Sequence, residues 1–167
     1  RVSTDGITWT GGGTPAGLAG VAANGTIFCG VTAGVNLGVG QTYTSPDGIS
    51  WTQGYDLPVT GIHDLAWNGY VFLGVGYGGD SGNVVATAAI SYDGINWTTP
   101  QSTPADGTYW HGITWTGTSF YAVGWLSNQS RSSGAVVSFT YGTATFSAPY
   151  KFSNSVTTPT YTCECTH

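Results

Sequence analysis

The chain has 167 residues, of which 40% are hydrophobic and only 7% are charged, so it can form a sizeable core and does not have the composition of a disordered segment. Its net charge is −5, with Arg1, Arg131 and Lys151 as the only basic residues apart from histidine. Three cations cannot form a phosphate-neutralising surface, and no apolar run approaches the roughly 18 residues of a membrane span, so we expect neither nucleic acid binding nor membrane insertion.

The first element, residues 1–10, contains STDGITWT, a motif that returns as SPDGISWT at 45–52 and as SYDGINWT at 91–98. The Gly of each copy can take a left-handed φ, and the Ser and Asp side chains can bind amides of the same turn. A motif that occurs once in every repeat cannot form one active site, so we predict a structural turn. Its residues are Ser3, Asp5, Gly6, Trp9, Ser45, Asp47, Gly48, Trp51, Ser91, Asp93, Gly94 and Trp97.

A second pattern lies between successive copies of this motif and once more after the last copy. It consists of an apolar run, a two-residue turn and another apolar run, and it occupies 18–31, 62–75 and 110–123. Its predicted turn residues are Asn24-Gly25, Asn68-Gly69 and Thr116-Gly117. Asn-Gly between apolar runs is typical of a β-hairpin. A third run leads into the Asp-Gly motif and a fourth follows it, so one repeat holds four antiparallel strands.

Repeats of about 42–49 residues with four strands each predict an all-β chain, a β-propeller that is incomplete in this sequence. The predicted propeller covers 1–150, and 151–167 is a closing strand or a tail. Within it we expect a partial blade at 1–10 and blades at about 18–52, 62–99 and 110–148. Open sheet edges have to be covered, so further blades of a longer chain or other subunits are expected partners.

The motifs resemble the Asp-box repeats of sialidase-type β-propellers. They are more similar to the Ser-x-Asp-Gly-x-x-Trp repeats of phage and giant-virus surface proteins, in which Asp and Gly are also adjacent. The resemblance implies a virion-surface or extracellular protein. A sialidase would need an arginine triad and a Tyr/Glu pair, but this sequence has only two arginines, Arg1 and Arg131, and one glutamate, Glu164. We therefore expect a protein that is not an enzyme and has no catalytic residues; a fragment of a sialidase-like glycosidase is an alternative.

The loops opposite the Asp-Gly turns form the predicted loop face, the usual binding face of a propeller. Exposed aromatic rings among small polar residues suit a glycan or a surface protein as the partner. His63 and His111 occupy the same repeat position there. The predicted ligand-binding residues are Tyr55, His63, Asp64, Tyr77, Tyr109, Trp110, His111 and Trp125. The alternatives are that these side chains only pack their own loops, and that the protein is a purely structural part of a fibre or capsid assembly.

The remaining expectations concern the cysteines and glycosylation. Cys29 lies in the apolar run TIFCGV and is predicted to be buried. The terminal CECTH lacks the spacing of a zinc site, so we expect no metal and no cofactor. Asn128, in an Asn-Gln-Ser sequence within a predicted loop, is the best candidate for N-glycosylation.

Overall fold

The computed structural model describes residues 3–10, 15, 17–34, 39–80, 83–100, 108–126, 132–140, 143–146 and 150–151. These residues form twelve β-strands, and all of the strand pairs among them are antiparallel. The prediction of an all-β chain with antiparallel sheets is therefore confirmed. Among the described residues we find no helical segment that could span a lipid bilayer.

The strands form three sheets that follow one another along the chain. The first sheet holds, in spatial order, β1 (Leu18–Ala23), β2 (Phe28–Thr32), β3 (Val39–Ser45) and β4 (Thr52–Thr60). The second sheet holds β5 (Ile62–Trp67), β6 (Phe72–Asp80) and β7 (Asn83–Ser91). The third sheet holds β8 (Thr108–Trp115), β9 (Phe120–Leu126), β10 (Ser132–Thr140) and β11 (Thr143–Phe146), with β12 (Tyr150–Lys151) also paired to β10.

The second sheet has three strands where four were predicted. After β7, the chain returns only as a single bridge in which Ile90 and Thr98 exchange backbone hydrogen bonds of 2.8 and 2.9 Å. Pro100 follows, and proline has no amide with which to extend the ladder. The predicted strand within 151–167 falls outside the described residues, apart from Lys151.

Each predicted hairpin forms, but its turn is centred one residue later than expected. In the first hairpin, the Asn24 amide donates to the carbonyl of Ile27 at 3.1 Å, so Gly25 and Thr26 are the central residues. Gly25 has a φ of 89°. The shift occurs because Asn24 Oδ1 accepts the amides of Thr26 and Ile27, each at 2.9 Å, and thereby replaces a backbone acceptor.

The Asp-Gly turns contain the predicted hydrogen bonds. In the second copy, Ser45 Oγ accepts the Gly48 amide at 2.8 Å, and Asp47 Oδ1 accepts the amides of Ile49 and Ser50, both at 2.8 Å. Gly48 has a φ of 73°, in the left-handed region that favours glycine. Trp51 Nε1 donates to the Gly48 carbonyl at 3.1 Å, so the indole closes the turn. Equivalent Ser and Asp bonds occur in the first and third copies.

Each sheet has two faces, which we define by equivalent repeat positions. The front face carries Val21 and Phe28 in the first sheet, and Leu65 and Phe72 in the second. The back face carries Ala22, Cys29 and Val31 in the first sheet, Ala66, Leu73 and Val75 in the second, and Thr114, Tyr121 and Val123 in the third.

The core consists of two layers in which a back face packs on the next front face. One layer joins Cys29, Val31 and Leu57 of the first sheet to Ile62, Leu65, Phe72 and Ala89 of the second. The other joins the back face of the second sheet to Trp110, Ile113, Phe120 and Ala122 of the third. Cys29 is fully buried, as predicted, and its Sγ lies 3.4 Å from the Gly94 carbonyl oxygen. Burial raises the pKa of its thiol to about 12, so the thiolate does not form at neutral pH.

Candidate functional site

Four aromatic rings converge at one end of the second and third sheets, and we call them the ring cluster: His63, Tyr77, Tyr109 and His111. The His63 imidazole stacks on the Tyr77 ring with 4.3 Å between centroids and an interplanar angle of 6°. Tyr109 meets Tyr77 edge-on at 4.6 Å. His111 lies 5.2 Å from Tyr77 and 5.6 Å from His63. Four of the eight predicted ligand-binding residues thus form one cluster, in which Tyr77 contacts each of the other three rings.

A β-bulge aims each histidine into the cluster. Ile62 pairs with Gly76 and Asp64 with Val75, so His63 is an extra residue in β5. In the third sheet, Trp110 pairs with Gly124 and Gly112 with Val123, so His111 is the extra residue in β8. A bulge bends its strand and redirects the side chain of the extra residue. Because the bulges occupy the same repeat position, they bring both imidazoles to the same end of the molecule.

The first sheet has a bulge at the same place, but Ala19 occupies it. Leu18 pairs with Thr32 and Gly20 with Val31, which leaves Ala19 unpaired in the register. The backbone feature is therefore repeated three times, whereas the imidazole is present only in the second and third sheets.

A crevice of about 200 Å³ opens beside the ring cluster. Its walls are His63, Tyr77, Thr60 and Ala33, together with backbone at Gly34, Gly61, Gly78 and Gly79. Glycine is required in two of these walls. A Cβ on Gly61 would strike the Tyr77 carbonyl, and a Cβ on Gly78 would strike the Thr60 hydroxyl. The crevice therefore offers peptide groups and ring edges to a ligand.

Both histidines of the cluster are neutral at neutral pH. Burial lowers the pKa of His63, and the neighbouring His111 lowers it further. Burial also lowers the pKa of His111. A neutral imidazole has one N–H donor and one acceptor nitrogen, and a tyrosine hydroxyl both donates and accepts. None of the residues that wall the crevice is charged, so the crevice suits a neutral polar ligand better than an anion.

Asp64 stabilises the contact between sheets beside this crevice. Its Oδ2 accepts the Ile113 amide of β8 at 2.9 Å, and its Oδ1 accepts the adjacent Leu65 amide at 2.9 Å. The carboxylate therefore links the second sheet to the third. Gly20 of the first sheet lies so close that a Cβ there would be 2.9 Å from Asp64 Oδ1.

Of the other predicted ligand-binding residues, Trp110 and Tyr55 lie outside the ring cluster, whereas Trp125 is the backbone partner of one of its members. Trp110 belongs to the core and is 1% exposed; within the described residues, its indole N–H has no hydrogen-bond partner. Tyr55 is 71% exposed and lies beside Ile95, away from the ring cluster. Trp125 is paired with Tyr109 across β8 and β9. Asn128 and the terminal residues 163–167 fall outside the described residues.

The predicted location of these aromatic residues on loops is wrong. Tyr55 lies on β4, Tyr77 on β6, Tyr109 on β8 and Trp125 on β9. The strands are longer than the apolar runs suggested, because backbone pairing continues through polar and glycine residues as far as Asp80 and Asn83. The ring cluster is thus carried by strand ends, which hold a site more rigidly than loops do.

A second aromatic surface was not predicted. Tyr70, in the second hairpin turn, and Tyr92, in the third Asp-Gly turn, meet edge-on with 5.4 Å between centroids. They are 65% and 47% exposed. Each occupies a variable position inside a repeated turn motif, and an aromatic residue at such a position is the signal that would have identified them.

The described carboxylates and histidines do not form a metal centre. Across the described ranges, no group of three or more His, Cys, Asp or Glu side chains could hold a metal ion. The carboxylates of Asp5, Asp47 and Asp93 are bonded to the amides of their own turns.

Comparison with known proteins gives a limited result. No protein-family model and no curated protein matches this sequence. Among solved structures, the chain is similar to a provisionally named 6-phosphogluconolactonase from Bacteroides uniformis, with 14% sequence identity and a TM-score of 0.49. The similarity covers 80% of this chain and 44% of that one, so the chain spans less than half the length of the matched protein.

This comparison corrects one prediction. The expectation that the chain is not an enzyme is contradicted, because the similar structure is named as an enzyme. A likeness at this level of identity assigns neither an activity nor catalytic residues to the chain.

Proposed function

We propose that the chain is a surface module that binds a neutral glycan in the crevice beside the ring cluster. The observation that carries the proposal is the convergence of His63, Tyr77, Tyr109 and His111 from three strands beside a crevice of about 200 Å³. Drug-sized ligands occupy roughly 300–1,000 Å³. A ligand for this crevice is smaller than that, and a single sugar residue of a longer glycan is of suitable size.

The chemistry of the walls favours a polyol. Sugar hydroxyls both donate and accept hydrogen bonds, as do the neutral His63 imidazole, the Tyr77 hydroxyl and the peptide groups of the crevice. A carboxylate or phosphate ligand would need a cation, and the crevice walls have none.

The proposal includes the finer fold, a β-propeller built from Ser-x-Asp-Gly-x-x-Trp repeats. Its support is the regular stacking of back faces on front faces at equivalent repeat positions. The resemblance to repeat proteins of phage and giant-virus surfaces further supports a virion-surface or extracellular location. A purely structural role in a fibre or capsid assembly is the competing function.

The test is binding to an array of neutral glycans and their sialylated counterparts. In the double variant His63→Phe with Tyr77→Phe, both rings remain and the polar atoms are lost. We expect wild-type protein to bind neutral glycans and the double variant to bind at least about tenfold more weakly, a loss of about 1.4 kcal/mol. Tyr55→Phe removes the hydroxyl of a residue outside the cluster and serves as the matched control.

Three outcomes would overturn the proposal. The double variant could bind as well as the wild type, or binding could require sialic acid. Alternatively, no glycan binds although the protein is folded, and the structural role is then favoured. Thermal unfolding of each variant shows that it is folded.

A further inference from the structure

The front face of the first sheet has no partner sheet within the described structure. Val21 and Phe28 are 46% and 38% exposed, whereas the equivalent Leu65 and Phe72 of the second sheet are 3% and 0% exposed. Apolar residues at the same repeat positions are thus buried where a preceding sheet covers them. The first sheet therefore presents a surface that is built like a core layer and is open to solvent.

The back face of the third sheet likewise has no sheet packed on it among the residues that the structure describes. Tyr121 and Val123 are 46% and 54% exposed. The equivalent residues of the second sheet, Leu73 and Val75, are completely buried. One end of the three-sheet stack thus has an open front face, and the other end has an open back face.

We infer that copies of this chain associate head to tail, with the back face of the third sheet seated on the front face of the first sheet of another copy. The reason is continuity with the two interfaces inside the chain, because both of them join a back face to the following front face. A second copy supplies the missing face with the repeat positions already in register. Such an interface is heterologous, so it builds a ring if the rotation closes and a filament if it does not.

The open front face has room for the larger residue that the third sheet presents. A groove of about 850 Å³ lies along it, and its lining includes Leu18, Val21, Phe28 and Trp51 together with residues of the segment 3–10. At the position of Cys29 and Leu73, the third sheet carries Tyr121. The tyrosine ring fills part of this groove and contacts the apolar side chains of the front face.

Sedimentation over a wide concentration range tests the association. We expect the wild-type chain to sediment above 17.3 kDa, with an average mass that rises with concentration. Phe28→Lys blocks the front face and Val123→Lys blocks the back face, so each variant alone should sediment at 17.3 kDa. A mixture of the two still contains one intact front face and one intact back face. It should form a one-to-one complex of twice 17.3 kDa and nothing larger.

Tyr70→Lys adds the same charge at an exposed hairpin turn and should associate like the wild type. Val21→Lys replaces Phe28→Lys if that variant does not fold, as judged by circular dichroism. A sedimentation mass of 17.3 kDa for the wild type at every concentration would overturn the inference. So would self-association of Phe28→Lys, or a mixture of the two blocked variants that forms no complex.

Discussion

Asp93 illustrates how a single carboxylate organises a turn. Its Oδ1 accepts the amides of Ile95 and Asn96, each at 2.8 Å, and its Oδ2 accepts the Asn96 side chain at 2.7 Å. Burial is the largest single influence and raises the pKa of this carboxyl. The hydrogen bonds together outweigh it and lower the pKa from 3.8 to about 2. The ionised form is therefore the one that stabilises the turn.

Replacing Asp93 with Asn should lower the free energy of unfolding at neutral pH by about 1 kcal/mol, since it removes a charge-assisted acceptor. The pKa is lower in the folded state, so the stabilisation is complete above about pH 4 and is lost as the pH falls through about 2. The difference between wild type and Asp93→Asn should therefore vanish in acid. Denaturant unfolding across this pH range measures it, with Asp56→Asn on exposed β4 as the control. An equal difference at low and neutral pH would contradict the expectation.

The β5–β6 hairpin depends on a close backbone contact next to the bulge at His63. A Cβ on Gly76 would strike the carbonyl oxygen of Gly61 and lie 2.8 Å from the Ile62 Cα. The Tyr77 amide donates to the same Gly61 carbonyl at 2.8 Å. This contact holds the strand that carries His63 against the strand that carries Tyr77, so the geometry of the ring cluster depends on it.

The variant Gly76→Ala should lower the free energy of unfolding by about 3 kcal/mol, because neither strand can move without breaking the hydrogen bonds of the ladder. Gly112→Ala is the matched control. Its Cβ would lie 3.4 Å from Val123 Cγ2, an ordinary van der Waals distance, so we expect a change of less than about 1 kcal/mol. Denaturant midpoints of the two variants give the comparison. Equal stability of Gly76→Ala and the wild type would show that the two strands can separate at low cost.

The three sheets are held together mainly by apolar side chains between them. Phe72 is fully buried between the first and second sheets, and Phe120 is fully buried between the second and third. The link from Asp64 to the Ile113 amide adds a polar contact across the second of these layers. The front face of the first sheet contains the same pattern of residues, but no sheet of the described part of the chain packs on it.

Phe28 and Phe72 therefore form a matched pair. Phe72→Ala should lower the free energy of unfolding by about 3–5 kcal/mol, because it opens a cavity between two sheets. Phe28→Ala, at the same repeat position, should cost less than about 1 kcal/mol in dilute solution, since its side chain is already 38% exposed. Thermal unfolding at low protein concentration measures both changes. Similar losses for the two variants would mean that the front face of the first sheet is covered.

The antiparallel hairpins, the hydrogen bonds of the Asp-Gly turns and the burial of Cys29 could all be predicted from the residues. These features are local, because an Asn-Gly pair or a Ser-x-Asp-Gly segment carries within a few residues the groups that stabilise its turn. The sequence also aligned His63 with His111. In the structure, each of these histidines is the extra residue of a β-bulge, and the equivalent bulges bring the two side chains together.

The rest depended on packing between distant segments. Trp110 shares a repeat position with Leu18 and Ile62, and only the contact between sheets places it in the core rather than at a surface. Tyr77 stacks on His63 because β6 pairs with β5, and no spacing in the chain indicates that contact. Phe28 and Phe72 are the same residue in the same motif, yet one is exposed and the other is buried. Burial is set by the neighbouring sheet, which a local sequence pattern does not describe.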